Sequence, residues 1–580
     1  MNFTADFETA TWLPDETYVW AWAICEIGND YNIKRGNTIE EFFKVIEYEK
    51  NSTYYFHNLK FDGEFIINYL LNNGFTHVEK KKDKKDKTFS TLISDMGMFY
   101  EIEVYFKVGN KRVKKVTFID SLKIIPFSVN DIAKAFGLPI SKLRIDYNRP
   151  REKDHILTTN EIKYISNDVK IVAMALDVLF KEDLTRMTSA SNSLYDFKEM
   201  TGKNRFDNLF PNIPYEIDED LRPAYRGGFT YVNPIYKEKD VGSGVVLDVN
   251  SLYPSVLHDE LMPVGEPVYF EGKYEYDPMF PLYVQRITCV FELKKNKIPT
   301  IQIKKSPSFL DNEYLESSNG EIVSLTLSSI DLEMFFNHYD VYFLEYHSGY
   351  KFRGMKGIFT SYIDKWTEVK IKATKEKNKG MRTLAKLMLN SLYGKFATSL
   401  DVQGKVPYIE DDLVLYKLGE KEKKKGLYLP VGIFTTAYAR KKTIETSNAI
   451  KEYSINKYGK DFYCYSDTDS IHTLLPIEEL TKFCDIDDVA LGKWKHESTF
   501  TRARFVRQKT YLEEIDGKVE ITCAGMPERC YKFVEWNNFK QGFTCGGKLT
   551  FKHVKGGVIL VETDFTIKQD KTLVRNIKEF

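Results

Sequence analysis

The sequence has no C-x-x-C pair and no grouping of cysteine with histidine at zinc spacing, although it contains seven cysteines. We therefore expect reduced thiols and no structural zinc site. No apolar run approaches the roughly 20 residues of a membrane helix, and no signal peptide precedes Asp6. Long polar stretches poor in aromatic residues, which are typical of disorder, are also missing. These absences predict a soluble globular protein that is not exported.

The sequence also lacks net charge, because 83 lysines and arginines balance 83 acidic residues. This balance argues mildly against a nucleic-acid-binding protein, since such domains usually carry a basic excess. The basic residues are clustered, however, for example at 421–425 and 502–509. Such clusters could follow a phosphate backbone, although a solvated surface is the simpler interpretation of any one of them.

At 580 residues the chain is too long for one hydrophobic core, so we expect at least two domains. Residues 1–188 alternate short strands with helical stretches and predict an α/β domain. The strand-like Gly244–Val249 opens a second unit whose motifs recur as far as Tyr511. Insertions are predicted at 299–320 and at 398–430, the latter with hairpin-like strands around the charged residues 419–426. Between them, 364–398 is lysine-rich and helical in propensity, except at Gly380.

A first set of carboxylates begins on the N-terminal strand. Asp6 and Glu8 are two residues apart, so their side chains leave the same face of a strand. Asp62 follows in a segment of mixed polar and aromatic residues, and Tyr164 lies one helical turn before Asp168. Four carboxylates can hold two metal ions about 4 Å apart for phosphodiester hydrolysis. The alternative, from spacing alone, is that these are ordinary capping or surface acids.

A second set lies in the other unit. A buried strand ends at Asp248 and is followed by Tyr253 and Pro254, where we expect a turn enforced by the proline. Far downstream, Asp467 and Asp469 stand between apolar and aromatic β-formers, as in a tight hairpin. If adjacent strands bring Asp248 beside Asp469, the pair forms the two-metal clamp of phosphoryl transfer.

A predicted helix carries a third motif. Lys386, Asn390 and Tyr393 are spaced by four and three residues and therefore share one face. A solvated lysine and a tyrosine at the edge of the core would be the usual interpretation. Next to the two carboxylate sets, a cation, an amide and a ring instead predict a nucleotide-binding surface, with the lysine on phosphates and the tyrosine under the base.

Together these motifs resemble those of the family B DNA polymerases, and most closely the protein-primed replicases of small Bacillus phages. The resemblance runs through almost the whole chain. It implies an α/β multidomain fold, with an RNase H-like 3′-to-5′ exonuclease domain joined to a right-hand polymerase that carries two insertions. The implied domains are 1–188 (exonuclease), 189–259 and 431–528 (palm), 260–357 (first terminal-protein-region insertion), 358–397 (fingers), 398–430 (second insertion, a hairpin) and 529–580 (thumb).

The resemblance also implies the roles of individual residues. The exonuclease metal ligands would be Asp6, Glu8, Asp62 and Asp168, with Tyr164 and Lys142 as catalytic helpers. The contacts to single-stranded DNA would be Thr9, His57, Asn58, Phe61, Ser121 and Leu122. The polymerase metal ligands would be Asp248, Val249 and Asp469, with Asp467 beside them. The nucleotide site would comprise Tyr253 as a steric gate against ribose, Lys370, Lys386, Asn390 and Tyr393. Primer and template would meet Tyr225, Gly227, Gly228, Gly394, Thr436, Arg440, Lys509 and Tyr511.

The implied cofactor is Mg²⁺, or Mn²⁺, with two ions in each active site. The implied partners are primer–template DNA, deoxynucleoside triphosphates and a terminal protein that serves as primer. We expect a monomer, or a heterodimer with the terminal protein, in the host cytoplasm and away from membranes. The chain departs from the family pattern at Glu64, where a small residue is expected, and in extra residues at 569–580.

Two alternatives remain, and a third is excluded. A DNA-primed family B polymerase would share every catalytic motif, and only the two insertions argue against it. A DNA-binding or structural protein with degenerate sites would be expected to have lost a metal ligand, and none is missing. A plain exonuclease would have no use for Asp248, the nucleotide-binding helix or Asp469.

Overall fold

The computed structural model describes residues 1–49, 51–108, 112–303 and 313–568. The expectations for 304–312 and for the C-terminal extension 569–580 lie outside the described residues. The N-terminal unit contains β1 (Asn2–Thr9), β2 (Val19–Glu26), β3 (Asn29–Gly36), α1 (Ile39–Tyr48), β4 (Ser52–Phe56), α2 (Leu59–Asn72), β5 (Thr76–His77), β6 (Thr88–Ile93), β7 (Phe99–Val108), β8 (Arg112–Asp120), α3 (Val129–Ala135) and α4 (Thr159–Lys181).

An eight-stranded sheet organises this unit, in the order β3-β2-β1-β4-β8-β7-β6-β5. The central strands β1, β4 and β8 are mutually parallel, whereas β2 is antiparallel to β1. Helix α4 packs on β1 and β2 from one face, and α1 and α2 cover the other face with an aromatic core that includes Phe42 and Phe56. Because the carboxyl ends of β4 and β8 meet at one edge, the loops after Phe56 and Asp120 lie side by side. The predicted α/β domain is therefore present.

Helix α4 illustrates why these residues form a helix. The Thr158 hydroxyl oxygen accepts a hydrogen bond from the Glu161 amide, and the Glu161 carboxylate accepts one from the Thr158 amide, which completes a capping box. Buried residues then recur at helical spacing, including Tyr164, Ile165 and Asp168. The helix consequently points one face, with Tyr164 and Asp168, toward the strand that carries Asp6 and Glu8.

The second unit is assembled from distant segments, as predicted. Its first part contains α5 (Ser189–Thr201), α6 (Lys203–Leu209), α7 (Tyr215–Leu221), β9 (Thr230–Val232), β10 (Asp240–Val241), β11 (Gly244–Val249) and α8 (Leu252–Asp259). A first insertion follows with β12 (Met262–Glu271), β13 (Leu282–Leu293), β14 (Ile301–Ile303), β15 (Glu313–Leu315), β16 (Val323–Ser328), α9 (Ser329–His338) and β17 (Tyr339–Met355). Then come the helical pair α10 (Thr360–Lys375) and α11 (Lys379–Phe396) and the hairpin β18 (Asp401–Glu410) and β19 (Leu413–Lys423).

The chain ends with α12 (Leu429–Tyr458), β20 (Tyr463–Asp467), β21 (Ser470–Thr473), α13 (Ile477–Leu480), β22 (Trp494–Phe500), β23 (Arg502–Arg507), β24 (Thr510–Ile515), β25 (Lys518–Cys523), β26 (Thr544–Val554) and β27 (Gly557–Thr566). A five-stranded sheet ordered β22-β11-β21-β20-β9 forms the centre of the second unit. Helix α12 packs against β20 and β21. None of the described helices is long and apolar enough to cross a membrane.

Three local predictions are wrong. Pro254 does not enforce a turn, because it lies in the first turn of α8, where a missing N–H costs nothing; the turn precedes it, with Ser251 at φ 55. The helical segment breaks at Lys377, with φ 56, whereas Gly380 lies within α11. The second insertion turns at Asp411 and Asp412, both with positive φ, and residues 419–423 belong to β19.

Two candidate active sites

The first site lies where β1, α2 and α4 meet. Asp6, Glu8 and Asp168 each place one carboxylate oxygen within 4.8 Å of the others. Asp62 joins them from the first turn of α2, where its Oδ1 accepts a hydrogen bond from the Phe7 amide at 3.2 Å. One oxygen of Asp168 is buried and has no hydrogen-bond partner. Such a cluster of hard oxygen donors, with one buried oxygen unpaired, fits divalent cations such as Mg²⁺.

The carboxylates of this cluster have raised pKa values. Burial and the charge of Asp168 raise the pKa of Asp6 to about 7, although the positive charge of Lys142 partly offsets them. Burial and then Asp6 raise the pKa values of Glu8 and Asp62 well above their ordinary range. Adjacent carboxylates cannot all ionise in a dry site unless cations balance them.

Lys142 and Tyr164 border the same cluster. Lys142 Nζ lies 3.0 Å from Asp168 Oδ2. Although burial opposes it, the charge of Asp168 raises the pKa of Lys142, so this lysine is a fixed positive charge beside the carboxylates. The Tyr164 hydroxyl is 2.6 Å from that of Tyr147. The expected helper residues thus lie at the carboxylate cluster.

The residues predicted to contact single-stranded DNA gather at the carboxyl ends of β4 and β8. Asp120 Oδ1 accepts hydrogen bonds from the backbone amides of Asn58, Leu59 and Leu122, at 3.0 to 3.2 Å, and so ties the two loops together. His57 bonds Ser121 Oγ at 3.0 Å. Ser121 and Thr9 are buried, whereas Asn58 is exposed. Phe61 packs against Phe551 of β26, with ring centroids 6.0 Å apart.

The second site lies on the five-stranded sheet. Asp248 is the penultimate residue of β11 and lies opposite Ser470, and the next amide, that of Val249, donates to the Asp469 carbonyl at 2.8 Å. Burial, followed by the charges of Asp469 and Glu497, raises the pKa of Asp248 to about 7. Burial and the charge of Asp467 raise that of Asp469. Asp467 differs from them, because Lys509 Nζ lies 2.6 Å from its Oδ1. The carboxylates of Asp248 and Asp469 also fit divalent cations.

A close backbone approach holds the turn between Asp467 and Asp469. A Cβ atom on Gly228 would lie 2.6 Å from Cγ2 and 2.7 Å from Oγ1 of Thr468. The Thr468 amide also donates to the Phe229 carbonyl at 2.7 Å, and Thr443 donates to the Thr468 carbonyl at 2.7 Å. Only glycine fits at position 228, so the segment around Gly228 fixes the position of the two aspartates.

The nucleotide-site residues lie on α8, α10 and α11, and Asp469 lies within electrostatic reach of both Tyr253 and Tyr393. The rings of Tyr253 and Tyr393 are stacked, with centroids 4.0 Å apart. Lys386 and Asn390 line a cavity of ≈ 760 Å³ between α11 and the N-terminal unit. Burial and neighbouring positive charges lower the pKa values of both Lys370 and Lys386. Lysines that crowd one another beside a cavity fit a polyphosphate.

Two residues that were predicted to contact DNA have side chains that are buried and hydrogen-bonded within the protein. Arg440 is buried, with its guanidinium donating to both oxygens of Asp331 and to the carbonyls of Arg226 and Gly227. Thr436 is buried and donates to the Gly432 carbonyl at 3.1 Å. In this structure their side chains offer no surface to DNA. Arg440 instead supports the backbone that leads into Gly228.

Comparison with known proteins identifies the family. A family model described as DNA polymerase type B, organellar and viral, matches residues 46–159 and 145–479. DNA polymerases of Bacillus phages Nf and phi29 are 46% and 45% identical over 98% of this chain and 99% of each relative. This chain belongs to the type B DNA polymerases. A DNA polymerase of Streptococcus phage Cp-1 is 31% identical over 99% of both chains.

A solved structure of phi29 DNA polymerase complexed with primer-template DNA, a post-translocation binary complex, superposes on the polymerase with a TM-score of 0.90. Its sequence is 43% identical, and the match covers 98% of this chain and 100% of that one. The ternary complex of phi29 DNA polymerase with primer-template DNA and incoming nucleotide substrates matches equally well. The predicted fold class, an exonuclease domain joined to palm, fingers and thumb, is confirmed.

Sequence reasoning missed several residues of the polymerase's two sites. Arg382 lies one turn before Lys386 and lines the same cavity, so helical spacing could have found it. Lys495, on β22, lowers the pKa values of both Asp248 and Lys386 and therefore lies within electrostatic reach of each. No sequence pattern indicated Lys495 or Tyr147, because only the tertiary structure brings them near the two sites.

Proposed function

We propose that this polymerase performs two reactions at its two carboxylate sites. The palm site extends a DNA primer with deoxynucleotides, and the N-terminal site removes mismatched nucleotides from the primer's 3′ end. The observation that carries this proposal is the presence of two carboxylate sets, buried or half-buried, on two separate sheets, each with its own lysine and tyrosine neighbours. Nothing in a single-activity enzyme requires both.

We assign Mg²⁺, or Mn²⁺, to both sites, two ions each. The ions would be held by Asp6, Glu8, Asp62 and Asp168 in one site and by Asp248, the Val249 carbonyl and Asp469 in the other. When bound, they would supply charge neutralisation at the attacked phosphorus and activation of the attacking oxygen.

The protein's own groups perform the remaining tasks in this proposal. Lys370, Lys386 and Arg382 hold the triphosphate, because Lys386 and Arg382 line one cavity and Lys370 lies within electrostatic reach of both. Tyr253, held by its stacking on Tyr393, excludes a ribose 2′-hydroxyl. Lys142 balances charge on Asp168 during hydrolysis, and Tyr164 orients water. Lys509, paired with Asp467, guides the primer end.

We further propose protein-primed, strand-displacing replication of a phage genome in the host cytoplasm. The two insertions support it, since 260–357 forms a separate four-stranded sheet that could receive a terminal protein, and 398–430 forms a hairpin. The Lys555 ammonium of β26–β27 lies 3.0 Å from Asp412 at the hairpin tip, so hairpin and thumb could enclose DNA. The second candidate is a DNA-primed type B polymerase, which would not need these insertions.

The test replaces residues 401–427 by a short Gly-Ser linker. Single-nucleotide addition on a primed single strand should stay near wild type, because Asp248, Lys386 and Asp469 lie outside the deletion. Long synthesis and strand displacement on a primed circular template should collapse. Degradation of a 3′ single strand serves as the control that the N-terminal domain remains folded. If strand displacement persists over long distances, the hairpin does not enclose DNA and the DNA-primed alternative is favoured.

A further inference from the structure

Glu64 is a buried carboxylate that belongs to neither active site. It lies on α2 and its side chain is only 3% exposed. Two elements from distant parts of the chain reach it: Tyr416 on the hairpin strand β19 and His553 on the thumb strand β26. A buried acid at the meeting point of three domains requires a physical reason, because an unpaired buried charge is strongly destabilising.

Each of the two carboxylate oxygens of Glu64 faces a different partner residue. The Tyr416 hydroxyl donates to Glu64 Oε2 at 2.7 Å. His553 Nε2 lies 3.5 Å from Oε1 and is buried without any hydrogen-bond partner that meets normal geometry. The Tyr416 ring also packs near the His553 ring and near Phe99, with centroids 6.2 Å apart in each case. Hairpin and thumb therefore share one acid of the exonuclease domain.

Further contacts connect the hairpin, the thumb and the exonuclease domain, each with the other two. Lys555, at the thumb tip, pairs with Asp412 of the hairpin tip at 3.0 Å, and its carbonyl accepts from the Thr17 amide at 2.8 Å. Val414 of the hairpin and Val558 of the thumb are both buried in the exonuclease core. Among the described residues that make these connections, only Glu64 has a side chain that meets polar groups of both the hairpin and the thumb.

We propose that Glu64, with Tyr416 and His553, is a positioning junction that holds the hairpin and the thumb closed on the exonuclease domain, and that it sets how long the polymerase stays on DNA. This inference rests on the proposed enclosing role of the hairpin. Glu64 does not touch substrate; it acts through Tyr416 and His553.

The test compares three variants: Glu64→Leu, Tyr416→Phe and the double variant. Leucine removes the carboxylate without leaving a buried charge, and phenylalanine removes only the hydroxyl. Loss of a hydrogen bond to a charged group should raise the open population about tenfold. We expect product length per binding event, measured with excess trap DNA, to fall several-fold in each single variant. The double variant should be no worse than Glu64→Leu, because the hydroxyl acts through the carboxylate.

The rates of single-nucleotide addition and of excision of a 3′ single strand should stay within about twofold of wild type, because Glu64 does not touch the substrate. A tenfold change in either rate would need a change of about 1.4 kcal/mol in the barrier of the chemical step. The excision readout also reports whether α2, which carries Asp62, is intact. Tyr408→Phe is the matched control: Tyr408 pairs with Leu415, the neighbour of Tyr416, so its side chain leaves the opposite face of the hairpin from that of Tyr416. It should retain wild-type product length.

A rescue experiment distinguishes closure from simple loss of stability. Asp412→Cys and Lys555→Cys, added to the Glu64→Leu variant and joined by a bismaleimide after it has bound primed circular DNA, should restore long products. Short products after cross-linking would overturn the proposal, as would unchanged product length in Glu64→Leu and Tyr416→Phe. If the 401–427 deletion abolishes displacement while these point variants behave as wild type, only the Glu64 junction fails. If the deletion has no effect, the enclosing role itself fails.

Discussion

Gly228→Ala should impair polymerisation through a single steric contact. The new methyl group would lie 2.6 to 3.0 Å from three side-chain atoms of Thr468, which no packed Cβ tolerates. Thr468 stands between Asp467 and Asp469 and is held by Phe229 and Thr443, so relief of the clash must move the turn that carries both aspartates. Overpacking of this kind costs about 1 to 3 kcal/mol. If that cost falls on the transition state, the incorporation rate drops about 5- to 150-fold.

The assay is single-turnover incorporation of one nucleotide on a primed single strand, with excision of a 3′ single strand as the internal control. Excision should be unchanged, because its carboxylates lie on another sheet. Thr468→Gly removes all three clashing atoms and suits the positive φ of 61 at that position. The Gly228→Ala/Thr468→Gly pair should therefore recover most of the lost rate. A Gly228→Ala variant at wild-type rate, or a pair as slow as Gly228→Ala alone, would refute the steric reasoning.

Two further predictions concern selectivity and stability. Tyr253→Val should raise ribonucleotide incorporation by about 5- to 150-fold, because relief of a steric clash is worth about 1 to 3 kcal/mol. Tyr253→Phe should keep discrimination because the ring stacked on Tyr393 remains, and equal permissiveness of the two variants would exclude a steric gate. Burial would raise the pKa of Glu161, but hydrogen bonds from His155, Thr158 and Arg151 hold it at about 2. This depressed pKa stabilises the fold by about 3 kcal/mol above pH ~4.5, and the contribution is lost as pH falls toward ~2. Glu161→Gln should therefore lower the unfolding temperature at neutral pH, with the difference from wild type shrinking in acid; a pH-independent difference would contradict the assignment.

Local pattern was enough to predict the elements that carry the metal ligands. Gly244–Val249 is a run of β-branched and aliphatic residues, and the two aspartates at 467 and 469 interrupt β-formers, so strand and hairpin followed from sequence. The shared face of Lys386, Asn390 and Tyr393 followed from helical spacing in the same way. The family resemblance, rather than periodicity, implied Lys142, which no local pattern connects to Asp168.

Long-range pairing could not be predicted from such patterns. Glu64 and Tyr416 are 352 residues apart, and no periodicity links them. Arg440 resembles a DNA contact in sequence, yet its burial beside Asp331 depends on how α9 of the insertion docks on α12. The prediction of a turn at Pro254 fails because a proline in the first turn of a helix and a proline in a loop have the same local signature.

The central claim is that two independent carboxylate sites perform opposite reactions on one 3′ end. It is tested most directly by a reciprocal measurement of incorporation and excision in Asp248→Asn and in the Asp6→Ala/Glu8→Ala variant, with the same primer and Mg²⁺. The account predicts that Asp248→Asn loses incorporation but excises nearly as wild type, whereas Asp6→Ala/Glu8→Ala loses excision but still synthesises. Loss of both reactions in either folded variant, or excision that survives removal of Asp6 and Glu8, would contradict it.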